Sequence, residues 1–247
     1  MIRLYNDDCI KILKGLKSES IDLVVTDPPY RTISGGNKTS KWKAGWATSV
    51  LSRNDGKIFD YNDVNHYEWI KEVYRVLKPN THFYMMTNVL NMFELKQIAE
   101  SVGFVLHNVL VWKKNNCVMN RWYMKNCEYT LFFRKGTAKT INKPNSTTVH
   151  CFNNPTDKTH PTEKPVELMK YYIENSSNVG DLVLDPFMGT GATIKACDIL
   201  KRNCIGIEID KKYFDIVYKW SSECNEINET LETISTECLH KLKKKLL

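Results

Sequence analysis

Short apolar, β-branched runs alternate along this chain with amphipathic stretches, and two of the runs end on acidic turns of unusual composition. Ile21-Asp22-Leu23-Val24-Val25 leads into Asp27-Pro28-Pro29-Tyr30, and Asp181-Leu182-Val183-Leu184 leads into Asp185-Pro186-Phe187-Met188-Gly189-Thr190-Gly191. Each run reads as a strand, so each turn sits at a strand end. In an open α/β sheet, ligands bind outside the carboxyl ends of the strands. Both turns are therefore candidate site residues. Around them, periodicity predicts helices over 8–17, 66–77, 89–101, 191–201 and 211–220, with a further helix starting at Pro165. Strands are expected over 21–26, 81–86, 104–113, 127–134, 181–185 and 203–208, with Lys78-Pro79-Asn80 ending the helix at 66–77. That alternation implies a mostly parallel, doubly wound α/β sheet.

Two polar stretches interrupt the pattern. Residues 31–65, rich in Gly, Lys and Trp, read as a mobile loop beside the first turn, and 136–159, with Pro144, Pro155 and many Thr and Lys, reads as a small irregular insert. The last stretch, 222–247, spaces Ile227, Leu231, Ile234, Cys238, Leu242 and Leu246 as one face of an amphipathic helix. A chain of 247 residues can bury a sizeable core as one domain spanning 1–247. Its net charge of +7 favours a polyanionic partner without requiring one. The eight cysteines show no CxxC spacing and read as reduced structural thiols, and the six histidines share no metal-ligand spacing. No signal-peptide stretch opens the chain, and no run reaches the roughly 18 apolar residues of a membrane helix. A cytoplasmic protein with no membrane contact and no metal is expected.

The first turn suits a planar amine. An exocyclic amine of a nucleobase has its lone pair delocalised into the ring, so an enzyme must hold its N–H bonds with fixed acceptors. Asp27 offers a carboxylate, and Pro28-Pro29, with restricted backbone angles, can present a carbonyl in a set position. Tyr30 offers a flat face for an extruded base, whose reacting atom is out of reach inside a duplex. The second turn has Gly189 and Gly191 where a tight turn brings backbone close to a ligand. It is not a Walker loop, because no Gly-Lys-Ser/Thr follows, and Ile194 stands where the dinucleotide fingerprint has its third glycine. Seventeen residues beyond Gly191, Glu208 ends the strand Cys204-Ile205-Gly206-Ile207, a position suited to gripping ribose hydroxyls.

In this order, the motifs jointly resemble the DNA amino-methyltransferases of the adenine-N6 and cytosine-N4 family, in the beta arrangement whose catalytic motif precedes the cofactor motif. The resemblance spans roughly residues 4–220 and includes His160-Pro161-Thr162-Glu163-Lys164-Pro165 and Tyr5-Asn6-Asp7-Asp8-Cys9. It implies a seven-stranded, Rossmann-like fold that binds S-adenosylmethionine. Asp185 and the Phe187–Gly191 turn would cradle that cofactor, Glu208 would bind its ribose and Lys164 would lie near its methionine carboxylate. Asp8 would meet its adenine amino group beside Cys9, and Asp27 would sit between cofactor and target amine. The family uses Asp-Pro-Pro-Tyr mainly for adenine and Ser-Pro-Pro-Tyr mainly for cytosine, so the resemblance favours adenine N6, with cytosine N4 as the nearest alternative. An RNA base or a protein amide is a more distant acceptor. A scaffold that had kept only the fold would be expected to lose a motif residue, yet Asp27, Tyr30, Asp185, Gly189, Gly191 and Glu208 are all present. Double-stranded DNA is the expected partner, with Lys38, Lys41 and Lys43, interleaved with Trp42 and Trp46, and then Arg121, Trp122 and Lys125, as candidate contacts. Recognition of a base sequence is expected from the 136–159 insert together with Arg121, Trp122 and Lys125, and because the insert is short, from a compact site, a second chain or help from the 31–65 loop. A homodimer and a cognate restriction enzyme are further candidate partners.

Overall fold

The computed structural model describes residues 1–29, 64–118, 122–155 and 163–223. Its elements run β1 (Ile2–Tyr5), α1 (Cys9–Gly15), β2 (Ile21–Thr26), α2 (His66–Val76), β3 (Leu77–Thr87), α3 (Met92–Ser101), β4 (Val105–Val118), β5 (Lys125–Arg134), β6 (Val149–Cys151), α4 (Val166–Ser176), β7 (Leu182–Asp185), α5 (Ala192–Ile199) and β8 (Asn203–Ile207). A further helical stretch covers 211–223, and 224–247, which make up nearly all of the helix expected over 222–247, lie outside the described residues. No described helix is long and apolar enough to cross a membrane.

The strands form one sheet in the order β1-β8-β7-β2-β3-β5-β4-β6. β1, β8, β7, β2 and β3 are parallel neighbours, while β5 runs antiparallel between β3 and β4. Among the described residues the sheet has eight strands, one more than the seven that the resemblance implies. Six match the sequence pattern; β1, four residues long, and β6, three residues within the insert, are too short for periodicity to reveal.

Alternation along the strands explains the layering. Val24, Phe83, Met85, Leu184 and Ile205 point to one face, where Leu13 of α1, Trp69, Ile70 and Val73 of α2, and Leu95 and Ala99 of α3 cover them. Leu23, Val25, Tyr84, Met86 and Val183 point to the other, under Leu168, Met169, Tyr172 and Ile173 of α4 and Ile194, Ala196 and Cys197 of α5. Each such large side chain contributes about 1.5–3 kcal/mol by leaving water. Two strand faces covered by helices from opposite sides make the doubly wound architecture.

Two local details differ from the sequence expectation. The α2 helix stops at Val76 and the chain passes directly into β3, because Lys78 precedes Pro79 and is disfavoured in helical geometry. The buried Lys135 ammonium donates to the Tyr74 and Leu77 carbonyls at 2.8 and 2.6 Å, satisfying that helix end. The insert is divided. Asn142 donates to the Glu174 and Ser177 carbonyls, Lys143 pairs with Glu174 and Asn175 donates to Ser146, so its first half is tied to the end of α4. Only from β6 onward does it return along β4 toward the strand ends that carry the candidate site.

Candidate active site

The carboxyl ends of β1, β8, β7, β2 and β3 lie on one side of the sheet. From β7 the chain winds through α5 to β8, and from β2 it winds the other way through α2 to β3. The two directions part between β7 and β2, at the crevice where such sheets bind ligands. Asp185 ends one of these strands and Asp27 follows the other.

Asp185 is 3% exposed. Thr26 Oγ1 donates to its Oδ1 at 2.6 Å and the Phe187 N–H donates to the same oxygen at 3.1 Å. Burial pushes its carboxyl up to about 6, against the hydrogen bonds from Thr193, Thr26 and Phe187, and the nearby Asp27 charge adds to the rise. The turn that follows is pinned from two sides. Met188 N–H donates to the Ile207 carbonyl at 2.9 Å, and the Gly189 N–H donates to Glu208 Oε2 at 2.9 Å. Gly191, at φ 85°, caps α5 in the left-handed region, and a Cβ there would lie 2.9 Å from Val217. A Cβ on Gly189 would meet nothing within 4 Å, so the turn presents bare backbone beside Glu208.

Glu208 Oε1 accepts from the Asp210 N–H at 2.8 Å, and burial pushes this carboxyl upward against its two backbone hydrogen bonds. The Tyr5↔Ile207 register sets the loop after β1 beside it, and Asn6 Nδ2 fastens that loop to the Glu208 carbonyl at 2.9 Å. Asp8 caps α1, its Oδ1 accepting from the Ile10 and Lys11 N–H groups. Burial pushes the neighbouring Cys9 thiol up to about 12, which keeps it protonated, and the Asp8 and Glu208 charges add to that shift. The Phe187 ring stands edge-on to Trp69 at 5.1 Å, holding the turn against α2.

Asp27 receives Lys164, from the segment before α4. Lys164 is 6% exposed, and its Nζ lies 2.5 Å from Asp27 Oδ2 and 3.3 Å from Glu128 Oε2. Glu128 Oε1 pairs with Lys114 of β4. Burial alone would raise the Glu128 carboxyl, but the Lys164 and Lys114 ammonium groups outweigh it and hold it below the usual range. Glu128, Lys114 and Thr26 belong to no motif that the sequence singles out. The available signal was an acid inside the apolar run Cys127-Glu128-Tyr129-Thr130-Leu131, since such an acid needs a cation.

Beyond the last β3 pair, Thr87↔Tyr129, the β4–β5 ribbon projects past the sheet on this side. Lys113 and Lys125 are exposed on it, as are Trp122, Tyr123 and Met124 near its tip. Asn154, beyond β6, donates to Asn115 and Asn116 of the ribbon. Tyr30, Lys38, Lys41, Trp42, Lys43, Trp46, Arg121 and His160 lie outside the described residues. No group of three His, Cys, Asp or Glu among the described residues is placed to hold a metal ion.

A protein-family model described as DNA methylase matches residues 21–219. The chain is 30% identical to the type II methyltransferase M2.DpnII of Streptococcus pneumoniae, over 91% of each protein. It is also 30% identical to the type II methyltransferase M.HinfI of Haemophilus influenzae, over 95% of this chain and 72% of that one. Among solved structures, the complex of M1.HpyAVI with SAM superposes with a TM-score of 0.67 at 29% identity, covering 89% of this chain and 99% of that one. The PvuII DNA methyltransferase, cytosine-N4-specific, shares the fold at a TM-score of 0.66 and 18% identity, covering 88% of this chain and 85% of that one. With a crevice at the switch point, two acidic strand ends and matches over most of its length, the chain belongs to the DNA methylase family, whose methyl donor is S-adenosylmethionine.

Proposed function

We propose that this protein methylates adenine N6 at one short sequence in double-stranded DNA. The observation that carries the reading is the meeting of Asp27 and Asp185 at the switch point, with the Lys164 ammonium fixed on Asp27. The residues fit the donor. Gly189 leaves room for a ligand against its backbone, and Glu208 offers two oxygens beside it for ribose hydroxyls. Bound there, S-adenosylmethionine supplies a methyl carbon made electrophilic by its sulfonium, and the electrons of the broken C–S bond remain on sulfur.

This chain supplies position and acceptors. Asp27 accepts an N–H of the target amine, which localises the nitrogen lone pair for attack on the methyl carbon. The new N–C bond leaves a cationic amine, which loses one N–H proton to water to give the neutral methylated base. Pro28 and Pro29 fix the turn, and Tyr30 stacks on the extruded base. Asp185 and Phe187–Gly191 form the wall of the donor pocket, and Lys164 serves Asp27 in addition to the donor carboxylate. Asp8 keeps its second oxygen for the adenine amino group of the donor, with Cys9 as packing beside it.

Duplex DNA approaches from the projecting ribbon, where Lys113 and Lys125 meet phosphates, and Lys38, Lys41, Lys43 and Arg121 are proposed as further phosphate contacts. Because 139–146 are held at the far end of α4, base recognition falls to the ribbon and residues 152–155. The fold's relatives are type II methyltransferases, so a partner restriction enzyme is proposed as well. Adenine is preferred because Asp, not Ser, opens the first motif. The test is Asp27→Ala with labelled donor: the reading expects no methyl transfer to DNA with donor binding kept. Full transfer by that variant overturns it.

A further inference from the structure

We propose that Glu128 is a positioning residue for methyl transfer, acting through Lys164 on Asp27. The inference rests on the role given to Asp27 above. Four charges stand in a row on elements far apart in sequence: Lys114 on β4, Glu128 on β5, Lys164 before α4 and Asp27 after β2. Signs alternate and sum to zero, which is how charges withdrawn from water are tolerated. Lys164 is the link that cannot turn away. It is 6% exposed and lies between two carboxylates, 2.5 Å from one and 3.3 Å from the other.

The unequal distances carry the consequence. An ammonium resting on Asp27 alone would concentrate its whole charge there, drawing electron density from the group that must accept the amine N–H. Glu128 takes a share of that charge and fixes the ammonium from the opposite side, so Asp27 Oδ2 is held while the carboxylate keeps its strength as an acceptor. Lys114 in turn limits how far Glu128 draws Lys164 away. Its ammonium also lies 4.8 Å from the Trp112 ring centre, and Trp112 is anchored by donation to the Phe152 carbonyl at 2.8 Å. The β4–β5 pair therefore sets the strength of an acceptor at the end of β2, two strands away across β3.

Glutamine in place of Glu128 keeps the size but not the charge. Both neighbours are ammonium donors, so the new side-chain amide can face one of them with its oxygen and must turn N–H toward the other. Glu128→Gln is expected to lower kcat on DNA by on the order of tenfold to a hundredfold, with the DNA KM unchanged within about twofold. On the Lys164→Met background the same change is expected to do nothing, because the intermediary is gone. Lys114→Met supplies a second, milder perturbation: it too lowers kcat with the DNA KM kept, and only while Lys164 is present.

A strut that merely joined β5 to α4 would behave otherwise. Equal losses from Glu128→Gln on both backgrounds, or loss of donor and DNA binding in step with a lower Tm, overturn the proposal. So does a Glu128→Gln enzyme with the wild-type kcat. Wild-type protein that transfers no methyl group to DNA overturns the proposed function and this inference with it, whereas an active wild type with indifferent Glu128 and Lys114 variants overturns this inference alone.

Discussion

Asp185→Asn is expected to make the protein more stable above neutral pH and inactive at the same time. Asp185 is buried at the crevice with its carboxyl raised from 3.8 to about 6, chiefly by desolvation. Below 3.8 it is protonated in folded and unfolded chains alike. Between 3.8 and 6 the folded state holds a proton that the unfolded chain has released, so stability falls as pH rises through this window. Above 6 the folded state carries the charge at its full cost. At about 1.4 kcal/mol per pH unit, that cost is roughly 3 kcal/mol. Asparagine removes the charge and keeps the shape: its oxygen still accepts from Thr26 and Phe187, and the Thr193 hydroxyl can turn to accept from its amide. Urea unfolding of both proteins from about pH 4 to about pH 8 is the assay. The two curves should coincide near the acid end and separate through about pH 6, leaving the variant more stable by up to about 3 kcal/mol at about pH 8. Glu208, raised chiefly by burial, is present in both, and because the Asp185 charge adds to its rise the asparagine relieves part of that cost too, in the same direction. A variant less stable than wild type at the alkaline end, or a difference that does not depend on pH, refutes the reasoning.

Other perturbations test neighbouring parts of the site. Gly191→Ala places a Cβ 2.9 Å from Val217 on a backbone at φ 85°, and should cost about 2–4 kcal/mol in urea unfolding; adding Val217→Ala should give a double variant less destabilised than the sum of the singles. Glu208→Gln sets an amide N–H against the Gly189 or Asp210 N–H, and calorimetric titration should show donor affinity lowered by at least about tenfold. Lys113→Glu with Lys125→Glu should weaken DNA binding for all sequences alike and reduce its salt dependence by roughly two counterions, read from filter binding across a salt series; an unchanged slope removes the ribbon from the DNA interface.

The parts of this fold that the sequence announces are those decided locally. Leu23, Val24 and Val25, or Phe83 to Met86, are apolar on both faces because helices cover both, and the strands they form are legible for that reason. The acids Asp27, Asp185 and Glu208 are legible because each stands where such a strand stops. What pairing decides is not legible. β1 is four residues that become a strand by lying along β8, and β6 is three that lie along β4. The insert reads as one polar stretch, yet its first half is carried to the far end of α4 by Asn142 and Lys143, which bond partners more than thirty positions away. Glu128 is hidden for the same reason: only the antiparallel run of β5 beside β3 brings its start to the side of the sheet where β2 ends.

The most direct test of the account is methyl transfer from labelled S-adenosylmethionine to unmethylated genomic DNA, followed by nucleoside mass spectrometry and single-molecule mapping of the modified positions. N6-methyladenine confined to one short sequence is the predicted result. N4-methylcytosine would contradict the choice of base, and DNA left unmethylated by protein that binds the donor would contradict the account of the site.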